Sequence, residues 1–561
     1  MAKQKKQASA QQPIHKAANG FVLKYPALWL ILAIIVVYIP ALNLGFTELD
    51  DKIFINELHT YNENLSNLLV SFQRGVFDPT HDIYYRPLFL NAMLLNYQLS
   101  GDSAMGYHVI NIVFHIIAVV LLFGLLKKLK IKELHAFILS LFFAIHPVLS
   151  QAVAWIPGRN DTLLAIFTIS FLISTINYTE QGKPKWLVLG ALFLLCAFLT
   201  KETAIFSAPV AFVLIVFLLQ KNWLDKRNII QYAIWLLVIG IWYIMRANAS
   251  LEHSMVNASQ IQVAFIKHLP ELIQYLGKVI LPFNLSVFPI VPDTVIYYGI
   301  AAIIIIGLLL YFSKEKNDRV IWGGLIVFLL FLLPALIVPI TLNDQAFEHR
   351  LYLPMIGILL VLSQTIWLKN KLTDMKLILY SCILFGVFSV INVLHQQDFN
   401  NPITFWRRAY ESSPHSAYAT MMYGERIVDE NKPLAFSLVR KSYEMDSTAK
   451  YINYYYGAML VSEDSISYAE RYFLKEKKIS DFFECDMRLA QIYVTKNDFP
   501  TAERYLESYI HKDPLNPMAN NNLLLIYVQQ KEKQKALQQI KNMGTNGLPV
   551  NYQIAQQANS L

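Results

Sequence analysis

The sequence predicts an all-α fold in two parts: a polytopic helical membrane domain of about eleven spans, followed by an α-solenoid. Three observations predict it. Apolar stretches of membrane-crossing length recur as far as residue 400. The loops between them alternate between basic and non-basic. Beyond residue 400 the long apolar runs stop and small residues recur with a period near 34.

Of 561 residues, 55% are hydrophobic and 16% charged, and the mean hydropathy is +0.37. That is too apolar for a soluble domain of this length. The net charge of +8 does not imply nucleic-acid binding, because many Lys and Arg residues cluster at the ends of apolar segments as topological anchors. Cys196, Cys382 and Cys485 lie far apart in sequence, which argues against a disulfide framework or a Cys metal site. The N-terminus carries Lys3, Lys5, Lys6, Lys16 and Lys24, then an apolar run without a small-residue cleavage site. We read residues 1–26 as a cytoplasmic basic tail before an uncleaved first helix.

The expected spans are 27–46, 107–126, 134–153, 161–178, 186–200, 203–220, 229–246, 295–312, 320–340, 351–368 and 376–395. The apolar segment 270–291 is broken by Pro270, Pro282 and Pro289 and reads as a re-entrant or interfacial piece. With the N-terminus inside, the basic loops 127–132, 183–185, 221–227, 314–319 and 369–376 all fall on the inner side. The other side receives the 47–88 loop, 158–161, 200–202, 247–290 and 343–350. An odd number of spans then places residues 401–561 outside, periplasmic in a bacterium or lumenal in the endoplasmic reticulum.

The first outer loop opens on Thr47-Glu48-Leu49-Asp50-Asp51-Lys52. Next, Phe54, Leu58, Tyr61, Leu65, Leu68, Leu69 and Phe72 follow a three-and-four spacing, which predicts one interfacial helix. In the C-terminal part Ala435, Ala469, Ala502 and Ala536 are spaced 34, 33 and 34 apart, and Gly457 and Ala490 each precede one of them by twelve residues. Small residues at helix crossings with this period are the tetratricopeptide signature, here in four units.

Several polar groups stand at the outer side. Asp50 and Asp51 suit proton abstraction from a hydroxyl, since neighbouring carboxylates raise one another's pKa; either also suits a helix cap. Tyr84-Tyr85-Arg86-Pro87 suits a phosphate or pyrophosphate, or an interfacial anchor. Asn111 and His115, four apart, suit a helix–helix hydrogen bond rather than a metal site. His146-Pro147, Arg159 with Asp161, Lys201-Glu202 and Glu348-His349-Arg350 all fall on the side that carries Asp50. Charge at membrane depth is costly, and its sorting to one surface argues for function. No Gly-rich phosphate loop, nucleophile motif or zinc signature occurs, so a donor already carried by a lipid fits better than a nucleotide.

An acidic pair after the first span and a long loop ending in Tyr-Arg-Pro-Leu resemble the GT-C superfamily of membrane glycosyltransferases. The order Tyr85-Arg86-Pro87-Leu88, His108 with Asn111 and His115, His146-Pro147, Ala152-Val153-Ala154, Gly158-Arg159-Asn160-Asp161, Lys201-Glu202 and Glu348 to Pro354, with repeats behind, resembles the transmembrane-and-TPR-containing O-mannosyltransferases. The resemblance implies an inverting transfer of a hexose, mannose first, from a polyprenyl-phosphate sugar to a hydroxyl, with protein Ser or Thr as the expected acceptor. Asp50 would be the base, with Asp51 supporting it. Arg86, Lys201 and Arg350 would contact the donor phosphate, with Tyr85, His115, His146, Arg159, Asp161, Glu202 and Glu348 as supporting polar groups. The lipid-linked sugar is a substrate and no cofactor is expected; a divalent metal stays open. The repeat array is shorter than in animal members and keeps little of the consensus, which leaves the acceptor open. A transporter for a polyprenyl-linked glycan, or a membrane-anchored repeat scaffold, are the alternative readings, although no internal repeat marks the membrane part.

Overall fold

The computed structural model describes residues 24–77, 82–249, 258–339, 344–369 and 374–561. The expected basic tail falls almost wholly outside them. Among the described residues the secondary structure is helical, apart from one isolated antiparallel bridge between Ile290 and Gln345.

Among the described residues six helices are long and apolar enough to cross a membrane: Pro26–Asn43, Ala104–Lys128, Ile156–Gln181, Lys226–Asn248, Asp318–Ile337 and Asp374–Phe399. Glu133–Ile145 with Pro147–Ala154 makes a seventh if the pair, bent by 52°, is one span. The bend falls at His146-Pro147, where proline cannot continue the helical hydrogen bonding. Pro184–Phe198, Glu202–Leu218 and Tyr297–Tyr311 are shorter. The expected span 351–368 is instead the eight-residue helix Met355–Leu362 and the turn Ile366–Lys369. Between them Ser363 and Thr365 hydroxyls donate back to Leu360 O and Leu362 O, and Ser313 Oγ takes up Gln364 O at 2.7 Å. Met355–Leu362 is buried on all sides, so it fills the bundle rather than facing lipid. Its backbone lies against Asp318–Ile337: a Cβ on Gly324 would sit 2.6 Å from Gly357 O. Small residues permit such close packing where no water drives association.

The first outer loop departs from the single helix its spacing predicts. It forms short turns, Lys52–Glu57, His59–Glu63, Asn67–Val70 and Ser71–Gln73. Asn64 Oδ1 accepts from Ser66 N at 2.9 Å, and Asn67 and Tyr61 exchange side-chain-to-backbone bonds. These asparagines offer the backbone partners that compete with a helix. Phe54 is buried, while Leu65 and Leu69 are exposed.

From Ala417 the chain folds as four helical hairpins: Ala417–Arg426 with Lys432–Met445, Ile452–Ser462 with Ile466–Ser480, Glu484–Thr495 with Phe499–Lys512, and Pro517–Gln529 with Lys533–Thr545. Ala435, Ala469, Ala502 and Ala536 each sit buried on the second helix of a hairpin. A Cβ on Gly424 would lie 3.0 Å from Ala435 O, so the hairpins need small residues at these crossings. Pro402–Ser412 precedes the array and joins it to the bundle. A shared apolar cluster, with Leu44, Trp155, Phe288, Phe347, Phe405, Trp406 and Met421, seals the two parts together.

Candidate active site

The site begins at the turn after the first helix. Glu48 takes a left-handed φ of 55°. Asp51 is buried, and its carboxylate accepts from Thr47 N (2.5 Å), Thr47 Oγ1 (2.8 Å) and Leu49 N (3.1 Å). Its lone pairs are spent on closing the turn. Asp50 stays half-buried, with no hydrogen bond to its carboxylate among the described residues. The surrounding protein strips its hydration although the group still reaches open space. That burial, aided by the charge of Asp51 and opposed by Arg86, pushes the Asp50 carboxyl up to about 7. Burial raises Asp51 too, while the Thr47 bonds pull it down. The two acids that look alike in sequence thus have different work.

Facing Asp50 is a cationic group assembled from four distant segments. Glu202 organises the first pair: Oε1 accepts from Tyr85 N at 2.9 Å and Oε2 from Arg86 Nε at 3.0 Å. Arg86 also lies over the Tyr84 ring at 4.5 Å. Lys201 Nζ donates to both oxygens of Asp161 at 2.8 Å. The Asn160 amide joins the pairs, with its nitrogen 2.9 Å from Thr200 O and its oxygen 2.8 Å from Arg86 Nη1. His349 Nε2 stands 4.0 Å from Asp161. Burial lowers the Lys201 ammonium from its usual range, Asp161 opposes that, and Arg86 and Arg350 reinforce it. Three cations therefore crowd together against two carboxylates. Arg86 and Lys201 have their acids; among the described residues Arg350 has none within ion-pair distance, and its Nη1 is buried without a hydrogen-bond partner. A surplus of positive charge ending on one unpaired guanidinium suits a phosphate.

The remaining residues singled out from sequence lie elsewhere. His115 is locked between Tyr352 OH (2.6 Å) and Ala144 O (2.8 Å), an interhelical clamp. Asn111 donates to Val153 O at 3.0 Å and takes Arg159 Nε at 2.8 Å. Arg159 is fully buried, satisfied by Asn111 and Tyr107 O, and stacked on the Tyr107 ring. His146 accepts from Val148 N and contacts Val279 O, which caps the bend. Tyr85 OH donates to Phe72 O. Glu348 is buried against Lys278 (2.6 Å), Ser286 N (2.7 Å) and His395 (3.3 Å); His395 reaches Asp398, and Asp398 reaches Arg408. That chain of charges ties the bundle to the helix before the repeats. These groups hold the frame of the site and do not line it.

Two further residues border the turn that carries Asp50, Arg426 through Glu48 and Tyr418 through Asp50 itself, and carry no signal in the sequence. Arg426, from the first hairpin, pairs with Glu48 at 2.8 Å and Glu425 at 3.1 Å. Tyr418, on the same helix, packs on Phe288 and Trp406 at 5.9 and 5.6 Å between ring centres. Burial raises its phenol, and Tyr451 and Asp50 add to the rise. The repeat portion therefore closes over the Asp50 turn. Among the described residues no three His, Cys, Asp or Glu side chains gather as metal ligands.

Residues 86–245 match the family model described as dolichyl-phosphate-mannose-protein mannosyltransferase. The protein O-mannosyl-transferase F38B6.6 of Caenorhabditis elegans is 33% identical over 164 residues, 29% of this chain and 23% of that protein. The human protein O-mannosyl-transferase TMTC3 is 34% identical over 142 residues, 24% of this chain and 15% of that protein. The matched stretch therefore spans less than a quarter of these relatives. A crystal structure of ArnT from Cupriavidus metallidurans bound to undecaprenyl phosphate aligns with 83% of this chain and 80% of that one, at 13% identity and a TM-score of 0.38, too loose a likeness to bear on the site. The matched family segment contains Arg86, Asp161, Lys201 and Glu202 and stops short of both Asp50 and Arg350. Over residues 86–245 the chain is similar to that mannosyltransferase family, and a stretch of 142–164 residues is similar to the O-mannosyl-transferases of animals.

Proposed function

We propose that the chain moves a hexose, mannose first, from a polyprenyl-phosphate donor to a Ser or Thr hydroxyl of a protein, on the outer face of a membrane. The observation that carries this reading is Asp50: a carboxylate free of hydrogen bonds among the described residues, raised to about 7, and facing the cationic group that begins at Arg86. Residues 27–400 form the membrane part, the N-terminus lies inside, and the repeats stand outside over the 47–88 loop.

In the reaction Asp50 takes the proton of the acceptor hydroxyl. The oxygen attacks the anomeric carbon from the face opposite the phosphate, and the configuration inverts. The C1–O bond breaks with its electron pair on the departing polyprenyl phosphate. Arg350, backed by Arg86 and Lys201, meets that charge in a site largely closed to water, where such stabilisation is strongest. Tyr418 and the Glu48–Arg426 pair form the wall on which the acceptor lies. A general base at pKa near the working pH is effective in both taking and passing on a proton.

The deciding experiment incubates the purified full-length protein in vesicles with radiolabelled polyprenyl-phosphate mannose and a Ser/Thr peptide. Label should pass to the peptide and not to its Ala counterpart. Label that stays on the lipid with every peptide and protein acceptor tried would overturn the reading; label carried across the vesicle membrane on an intact lipid would favour transport.

A further inference from the structure

The helix Ala258–Ile280 is inside out. Ile261, Val263, Phe265, Ile266 and Leu269 are 38–58% exposed, while His268, Glu271 and Lys278 are 0% exposed and Gln274 is 4%. The buried polar residues are spaced three, three and four apart, so they share one face. A helix with its apolar side out and its ionisable side in belongs at hydrocarbon depth or at the interface, and an inward-facing charge there is a functional candidate.

The polar face contacts Val338, Phe347 and Glu348. His268 Nε2 approaches Val338 O at 3.2 Å, Tyr275 OH donates to Phe347 O at 3.3 Å, and Lys278 is bound to Glu348. His268 Nδ1 holds Glu271 Oε1 at 2.7 Å. Two acceptors on this face are left over: among the described residues Glu271 Oε2 and Gln274 Oε1 are buried without partners. Beyond Tyr275, whose hydroxyl reaches the Arg350 side chain, Arg350 Nη1 also lacks a partner among the described residues. Buried polar atoms without partners are costly and rare, so these three, linked along the helix through Tyr275, ask for a ligand. Two acceptors beside one cationic donor do not suit a free anion, which Glu271 would repel. They suit a sugar, whose hydroxyls donate to the carboxylate and amide while an attached phosphate meets the guanidinium. Pro270, inside the helix, removes one backbone hydrogen bond next to Glu271.

We propose that Glu271 and Gln274 are the hexose-recognition residues of the donor site, taking the sugar's hydroxyls while Arg350 holds its phosphate. This rests on the lipid-linked-sugar reading above. The test measures binding of bare polyprenyl phosphate and of polyprenyl-phosphate mannose to the full-length protein in vesicles. The wild-type protein should bind the mannosyl lipid about tenfold or more tighter than the bare phosphate, as expected from one or two hydrogen bonds. Glu271→Gln and, separately, Gln274→Leu should erase most of that preference and leave the bare phosphate unchanged, whereas Arg350→Ala should weaken both lipids alike. Equal binding of the two lipids by the wild type, or variants that keep the preference or lose both lipids together, would overturn the inference. If the wild type binds neither lipid, the donor reading itself has failed, and this assignment with it. The isosteric Glu271→Gln guards against a variant that simply does not fold.

Discussion

The two walls that meet at Asp50 are built by opposite means. On one side stands a cationic wall in which Arg86–Glu202 and Lys201–Asp161 are nearly buried pairs, all four drawn from the membrane part. On the other stands an acidic and aromatic wall in which Glu48 is 34% exposed and depends on Arg426 of the first hairpin. The first wall is fixed by pairs that cannot be broken cheaply, which suits a donor of constant chemistry. The second exists only because two parts of the chain dock, which suits an acceptor that varies. Donor and acceptor binding should therefore fail separately.

The largest effect is expected at Asp50. Asp50→Asn should lower transfer about 10³-fold, the usual contribution of a general base, with insertion and melting temperature preserved. Asp51→Asn should do the reverse: it unmakes the Thr47 and Leu49 bonds and lowers stability by about 1–3 kcal/mol. Thermal melting and turnover measured on both variants would break the comparison if the two behaved alike.

Next is the cationic wall. Lys201→Met leaves Asp161 without its partner and should cost about 3–5 kcal/mol of stability. Lys201→Met with Asp161→Asn should recover much of that stability but not the donor affinity, a difference that melting and donor KM together would read.

The pH profile comes third. Asp50 must be ionised to act, and its folded pKa is raised, so activity should fall as pH drops through about 7. About nine tenths of the base form is present at pH 8 and about one tenth at pH 6. Since Arg86 pulls this pKa down, Arg86→Gln should move the acid limb of log(kcat/KM) to higher pH. A limb that stays in place would separate Asp50 from the titrating group.

The smallest effect is expected on the acceptor wall. Arg426→Ala should raise the acceptor KM a few-fold and leave the donor KM alone, because a partly exposed pair couples by about 0.2–1 kcal/mol. The exchanged pair Glu48→Arg with Arg426→Glu should restore part of it. A change in donor KM instead would mean that the walls are not independent.

Much of the fold was legible because its causes are local. The small residues of the repeats, Ala435, Ala469, Ala502 and Ala536, must recur wherever two helices cross, and they do. The acids at 50 and 51 stand where a span leaves the bilayer and the arginine at 86 closes the same outer loop, which marks them without any contact being known. His115, His146, Arg159 and Glu348 show the limit. A polar group used to clamp two membrane helices and one used on a substrate pay the same desolvation cost and look the same in a sequence. The expected helix over 54–72 failed for a related reason: the apolar spacing is real, but Asn64 and Asn67 bind backbone groups that a helix would need.

Hydropathy and small-residue periodicity act over one or two helical turns, so composition and spacing were enough to place this chain in a membrane, make it helical and append a solenoid. Ion pairing acts across whatever distance the fold brings together. Glu202 finds Arg86 across 116 residues, and Glu48 finds Arg426 from the other part of the chain. Which of two adjacent acids is tied into a turn and which is left free to react is a matter of where three hydrogen-bond donors point, and that required the folded backbone around Thr47.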